Sequence, residues 1–109
     1  MEEKIMNEKF ILLACGSGAS SGFMASSMRK EAKKRQLNLK IKAVSESEIE
    51  EYINDIDILL IGLHIEYLEN ELRETTQYKN VPLKIIPQKI YGRLDGKAAL
   101  DLALENITD

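Results

Sequence analysis

The architecture of this chain follows from one stretch near its amino terminus, Phe10-Ile11-Leu12-Leu13-Ala14-Cys15-Gly16-Ser17-Gly18-Ala19-Ser20-Ser21-Gly22. The apolar run at residues 10–14 predicts a buried strand. Glycine and serine dominate residues 16–22, and helix-forming residues follow from Phe23 to Arg35. The pattern therefore predicts a strand, a loop of small residues and a helix, with Cys15 at the carboxyl end of the strand.

Residues 16–22 have the composition of an anion-binding loop. Glycine has no Cβ, so that backbone N–H groups can converge on a bound anion. The helix that follows adds N–H donors without intrahelical partners and a partial positive charge. We therefore expect a phosphate cradle formed by Gly16, Ser17, Gly18, Ala19, Ser20, Ser21 and Gly22. At its edge the same donors should favour the thiolate form of Cys15, which is the nucleophilic form.

Apolar and amphipathic segments alternate along the rest of the chain. Strands are expected at about residues 9–14, 39–43, 56–62 and 81–86, and helices at about 21–36, 45–54, 65–76 and after Asp95. This order, βαβαβαβα, predicts an α/β fold with a four-stranded parallel sheet and helices on both faces. One domain is expected over residues 1–109, with a loose amino terminus at 1–8.

Parallel sheets bind ligands outside the carboxyl ends of their strands. Cys15, the turn at residues 62–64 and a loop at residues 87–95 each follow a predicted strand. We therefore expect them to share one rim, with Phe23, His64, Tyr91 and Asp95 as possible rim contacts. Each of these four residues also has an alternative interpretation. Tyr91 and Phe23 could pack in the core, Asp95 could cap a helix, and His64 could have a structural or incidental role.

Composition excludes several classes of function. The chain has 109 residues, a net charge of −3 and 44% hydrophobic residues, with no apolar run long enough to span a membrane. No block of basic residues suggests nucleic-acid binding, although the cluster within Arg29–Arg35 is either a solvated helix face or a docking patch. A single cysteine cannot form an internal disulfide, and a free thiol is typical of proteins in the reducing cytoplasm. A single histidine is not enough for a metal site. No metal or other cofactor is expected.

Comparison with three known types of phosphate-binding loop narrows the possible type of the loop at residues 16–22. A Walker A loop requires Gly-Lys-Ser or Gly-Lys-Thr, which is absent, and the spacing Gly16-x-Gly18-x-x-x-Gly22 is one residue too long for a dinucleotide fingerprint. Cysteine phosphatases carry an arginine six positions after the cysteine, where this chain has Ser21. The loop is thus suited to binding a phosphoryl group and lacks the guanidinium that promotes its transfer to water.

The chain resembles enzyme IIB of the lactose/cellobiose (N,N'-diacetylchitobiose) family of the bacterial phosphoenolpyruvate-dependent sugar phosphotransferase system. The resemblance lies in Leu13-Ala14-Cys15 with its Gly/Ser loop, in Ile58–Gly62, and in Ile90-Tyr91-Gly92-Arg93-Leu94-Asp95-Gly96. Cellobiose-type members often have Gly-Pro-Gln after the third strand, whereas this chain has Gly62-Leu63-His64.

The resemblance implies a sheet order of 2-1-3-4, in an architecture like that of low-molecular-weight tyrosine phosphatases and flavodoxin. It also implies that Cys15 accepts phosphate from a IIA phosphohistidine and passes it to a sugar bound in the membrane component IIC. The isolated protein is expected to be monomeric, without direct membrane insertion. The alternatives are a low-molecular-weight cysteine phosphatase or arsenate-reductase-like enzyme, and a non-catalytic flavodoxin-like binding module.

Overall fold

The computed structural model describes residues 8–15, 19–62, 69–78, 81–93 and 95–107. The amino-terminal segment 1–7, which belongs to the expected loose terminus, and His64 lie outside the described residues. The strands are β1 (Lys9–Cys15), β2 (Leu39–Ser45), β3 (Ile58–Ile61) and β4 (Leu83–Ile85). The helices are α1 (Ala19–Lys34), α2 (Ile49–Tyr52), α3 (Glu69–Tyr78), α4 (Gln88–Gly92) and α5 (Gly96–Asn106), and a 3-10 turn at Glu46–Glu48 precedes α2.

The four strands form one parallel sheet in the order β2-β1-β3-β4. This confirms both the α/β class and the predicted strand order. β3 is buried along its whole length, as its continuous apolar sequence predicts for a central strand covered on both faces. At the start of β1 the carboxylate of Asp57 accepts a hydrogen bond of 2.7 Å from the backbone N–H of Phe10, which ties the entry into β3 to β1.

Alternation along β1 divides the core into two layers. Ile11 and Leu13 pack in a cluster with α1 and α5, which contribute Met24 and Met28 among others. Phe10, Leu12 and Ala14 point to the opposite cluster, built with α2. Because successive side chains of a strand face opposite sides, one apolar strand can serve both layers.

Helices α1 and α5 lie side by side on one face of the sheet and run in the same direction. Gly96, at the start of α5, lies against Ser27, since a Cβ on Gly96 would come within 2.5 Å of the carbonyl carbon of Ser27. Further along, the guanidinium of Arg35 bridges to Asp101 at 2.8 Å. The amino end of α5 is thereby held against the middle of α1.

The structure corrects several expected boundaries. The helix expected at residues 45–54 is a 3-10 turn over Glu46–Glu48 followed by α2, and β3 and β4 are shorter than the expected 56–62 and 81–86. α1 begins at Ala19 rather than at about residue 21, and β2 continues to Ser45, the register partner of Cys15. The segment 87–95, expected as a loop, contains α4, because the carbonyl of Pro87 accepts hydrogen bonds from the N–H groups of Ile90 and Tyr91. Among the described residues, no helix has the length and apolar character needed to cross a membrane.

Candidate functional site

Cys15, the last residue of β1, lies at the edge of the sheet where the parallel strands have their carboxyl ends. The N–H of Gly62, just after β3, donates to the carbonyl of Ala14 at 3.1 Å. The N–H of Ile86, just after β4, donates to the carbonyl of Ile61 at 2.9 Å. The segments that follow β1, β3 and β4 therefore leave the sheet at one edge, as expected for a ligand-binding rim.

The amino end of α1 follows Cys15 after only three residues. Gly16, Ser17 and Gly18 make this connection and lie outside the described residues, whereas Ala19–Gly22 form the first turn of the helix. Residues 19–22 of the predicted phosphate loop are therefore helical. This first turn of α1 presents backbone N–H groups from a helix terminus, where the first donors have no intrahelical acceptor.

The electrostatics of this terminus suit an anion. α1 is 16 residues long, and no acidic residue stands in its first turn. The helix dipole then places partial positive charge at residues 19–21, and no carboxylate of that first turn opposes it. The side chains of Cys15, Ala19, Ser20 and Ser21 lie outside the described part of the structure, and their contact with a phosphoryl group stays a prediction.

Phe23 is exposed at the second turn of α1. Its side chain is 67% accessible, and it is the one large apolar side chain exposed among the described residues. The alternative that Phe23 packs in the core is therefore wrong. Its exposure within two turns of the helix start leaves an apolar contact available beside the rim.

Tyr91 and Asp95 both have structural roles at the segment that follows β4. The ring of Tyr91 is 7% exposed and lies over Gly62. The carboxylate of Asp95 accepts a hydrogen bond of 3.1 Å from the N–H of Ala98 and so caps α5, as the sequence predicted. A contact of either residue with phosphate stays a prediction, as does any role of His64.

Two features of the site were not found from the sequence. The first is the close approach of Tyr91 to Gly62, for which the only signal was a glycine at the end of an apolar strand. The second is the convergence of lysines from α1 with Arg93 and Lys97, which lie about 60 residues further along the chain. Within the described ranges, no group of three or more His, Cys, Asp or Glu side chains could hold a metal ion.

Comparison with known proteins gives a consistent result. Residues 10–102 match the family model described as "PTS system, Lactose/Cellobiose specific IIB subunit". The chain is 33% identical to the oligo-beta-mannoside-specific EIIB component of Bacillus subtilis (strain 168), over 88% of this chain and 93% of that protein.

Two solved structures are also similar. The cellobiose-specific phosphotransferase IIB component of Borrelia burgdorferi has a TM-score of 0.77 and 30% identity, covering 91% of each chain. The lactose-specific IIB domain of the phosphoenolpyruvate:carbohydrate phosphotransferase system from Streptococcus pneumoniae has a TM-score of 0.85. At 13% identity, over 94% of this chain and 100% of that one, the second likeness shows the shared fold.

Proposed function

Because this chain belongs to the lactose/cellobiose-specific IIB subunits of the sugar phosphotransferase system, we propose that it carries a phosphoryl group on Cys15. The donor is a phosphohistidine of the IIA component, and the acceptor is a sugar bound in the membrane component IIC. The protein is thus a phosphotransferase that works through a phosphocysteine on the cytoplasmic side of the membrane.

The chemistry is two displacements at phosphorus. The Cys15 thiolate attacks the phosphohistidine, so that the S–P bond forms as the N–P bond breaks and the imidazole of the donor leaves with the electron pair. A sugar hydroxyl then attacks the phosphocysteine, its proton passes to a base on the partner, and the S–P bond breaks to return the thiolate. Both steps need charge on the phosphoryl oxygens to be stabilised, which the N–H groups at the start of α1 can supply.

One observation carries this proposal. Cys15 ends a strand inside the sheet, and the amino end of a 16-residue helix without acidic first-turn residues begins after three residues. An anion attached to Cys15 would therefore lie near the N–H groups at the start of α1, which have no intrahelical acceptor. Ser21, in the first turn, stands where a cysteine phosphatase has arginine, which favours a carrier over a hydrolase.

The related proteins do not identify the sugar that receives the phosphoryl group. Their names specify an oligo-beta-mannoside, cellobiose and lactose, so the family alone does not select one. Sugar contacts would come from IIC in this mechanism.

Reconstitution tests the proposal. The protein is mixed with phosphoenolpyruvate carrying a labelled phosphoryl group, the general phosphotransferase proteins and a purified IIA of the lactose/cellobiose type. Label should enter the protein and then leave it when membranes containing IIC and a sugar panel are added, with sugar phosphate as the product. Failure of the wild-type protein to take label from a phosphorylated IIA would contradict the proposed function.

A further inference from the structure

An open groove of about 820 Å³ runs along α1 beside the amino end of α5. Five cationic side chains line it, and together they are called the basic groove here: Lys30, Lys33, Lys34, Arg93 and Lys97. Two carboxylates, Glu31 and Asp95, also line it. Cations from two separate parts of the chain thus converge in one concavity of a protein whose net charge is −3.

The other charged groups of this region are already engaged. Arg29 donates to the carbonyl of Ile41 at 2.8 Å. Arg35 donates to Glu31 at 2.9 Å and to Asp101 at 2.8 Å, and these hydrogen bonds raise the pKa of its guanidinium. Asp95 is occupied as the cap of α5. Glu31 is thus paired with Arg35, whereas Asp95 keeps its negative charge as it caps α5, and the five cations of the groove still outnumber its two carboxylates.

The five cations themselves have no such partners. Within the described parts of the chain, none of their side chains makes a hydrogen bond or an ion pair. Surface lysines need no partner in isolation, but five like charges gathered around one concavity repel one another. An anionic surface that fills the groove would relieve this repulsion.

The exposed side chain of Phe23 lies on the same face of α1 as three residues that line the groove. Residues 23, 27, 30 and 34 recur at i, i+4, i+7 and i+11, which places them on one face of α1. Phe23 and Lys34 are therefore about 16 Å apart along the helix, at 1.5 Å per residue. A single protein partner could cover both while it reaches Cys15.

The shape and chemistry of the groove favour a protein surface as its occupant. Its lining residues include no aromatic side chain on which a nucleotide base could stack. Its cations are mainly lysines on flexible stems, which act as point charges rather than as a fixed anion-binding fork. A concave groove also fits a protruding segment better than a flat lipid surface.

We propose that the basic groove and Phe23 together dock an acidic surface of the phosphoryl-donor component IIA, with an apolar contact placed against Phe23. This inference rests on the proposed function, since it names the donor as the partner. IIA and this protein meet by diffusion. Opposite charges on their two surfaces would steer the encounter and orient α1 toward IIA. The groove then sets the affinity for the donor, while Cys15 carries the reaction.

The test is the dissociation constant for purified IIA of the lactose/cellobiose type from the organism that encodes this chain, measured at several salt concentrations. Lys30→Glu/Lys34→Glu should weaken binding about tenfold or more and flatten its salt dependence. Lys34→Glu should show part of this loss. Lys84→Glu, an exposed position on edge strand β4 outside the groove, is the matched control and should bind within about twofold of wild type.

The outcomes separate the two proposals. Unchanged binding by the double variant, or an equal loss in Lys84→Glu, would overturn the docking inference. Lysine-dependent binding to phosphatidylglycerol vesicles, with unchanged affinity for IIA, would overturn it in favour of a membrane surface. If IIA binds through the lysines but its phosphorylated form leaves Cys15 unmodified, the docking stands and the proposed function fails.

Discussion

The ring of Tyr91 lies where a side chain on Gly62 would be. A Cβ at Gly62 would come within 2.9 Å of Cε2 and 3.3 Å of Cζ of that ring. Gly62 directly follows β3, and its N–H donates a hydrogen bond to Ala14 of β1, the strand that ends at Cys15, while Tyr91 belongs to α4. This contact therefore packs α4 against the carboxyl end of the sheet and fixes the position of the rim.

Gly62→Ala should destabilise the protein by about 1–3 kcal/mol, because the added methyl group must displace the buried ring of Tyr91. Gly22→Ala is the matched control, since a Cβ there meets nothing within 4 Å and the position is helical. It should be neutral or stabilise by up to about 1 kcal/mol. Urea unfolding of both variants measures the difference, and equal effects would contradict the packing role of Gly62.

Asp95→Ala should lower the free energy of unfolding by about 1 kcal/mol, because the N–H of Ala98 loses its acceptor at the start of α5. Asp95→Asn keeps a side-chain oxygen and should retain most of that stability. Chemical denaturation of the pair checks the cap. A loss of the same size in Asp95→Asn would show that the negative charge, rather than the hydrogen bond, is what matters.

Phe23→Ala should slow phosphoryl transfer while changing stability by no more than about 0.5 kcal/mol, because the side chain is 67% exposed. The chain has two phenylalanines, and the buried one provides the contrast. Phe10 is 8% exposed, so Phe10→Ala should cost about 3–5 kcal/mol. A large loss of melting temperature in Phe23→Ala with normal transfer would contradict its role as a contact surface.

The isolated protein should not hydrolyse an aryl phosphate at a measurable enzymatic rate. Backbone N–H donors can stabilise a bound phosphoryl group, but the site has Ser21 in place of the arginine that stabilises charge in a phosphatase transition state. Release of nitrophenol from nitrophenyl phosphate measures this. Turnover on the order of 1 s⁻¹ or faster would restore the phosphatase assignment.

Much of the fold could be predicted because local pattern and burial agree. The apolar run of β3 is buried throughout, and the helical spacing of Met24 and Met28 places both in the core. The cap at Asp95 was read from its position before α5. In each case the local sequence carries the same information as the tertiary structure.

The remainder depends on contacts between distant residues. The sequence did not predict α4, because Pro87 and Gly92 stand at its two ends and suggest a loop. Burial of Tyr91 against Gly62 stabilises a helical turn there. The start of α1 at Ala19 was placed two residues late, because glycine and serine are weak helix formers. Arg93 joins the lysines of α1 only through the packing of α5 on α1, which no local pattern encodes.

The most direct test of the central claim is peptide mass spectrometry of the protein after incubation with phosphorylated IIA. A single added phosphoryl group should map to Cys15, and Cys15→Ser should keep the fold but acquire none, since a serine hydroxyl is a far weaker nucleophile without a base. Circular dichroism confirms that the variant is folded. A phosphoryl group on any other residue, or continued transfer to sugar by Cys15→Ser, would contradict the account.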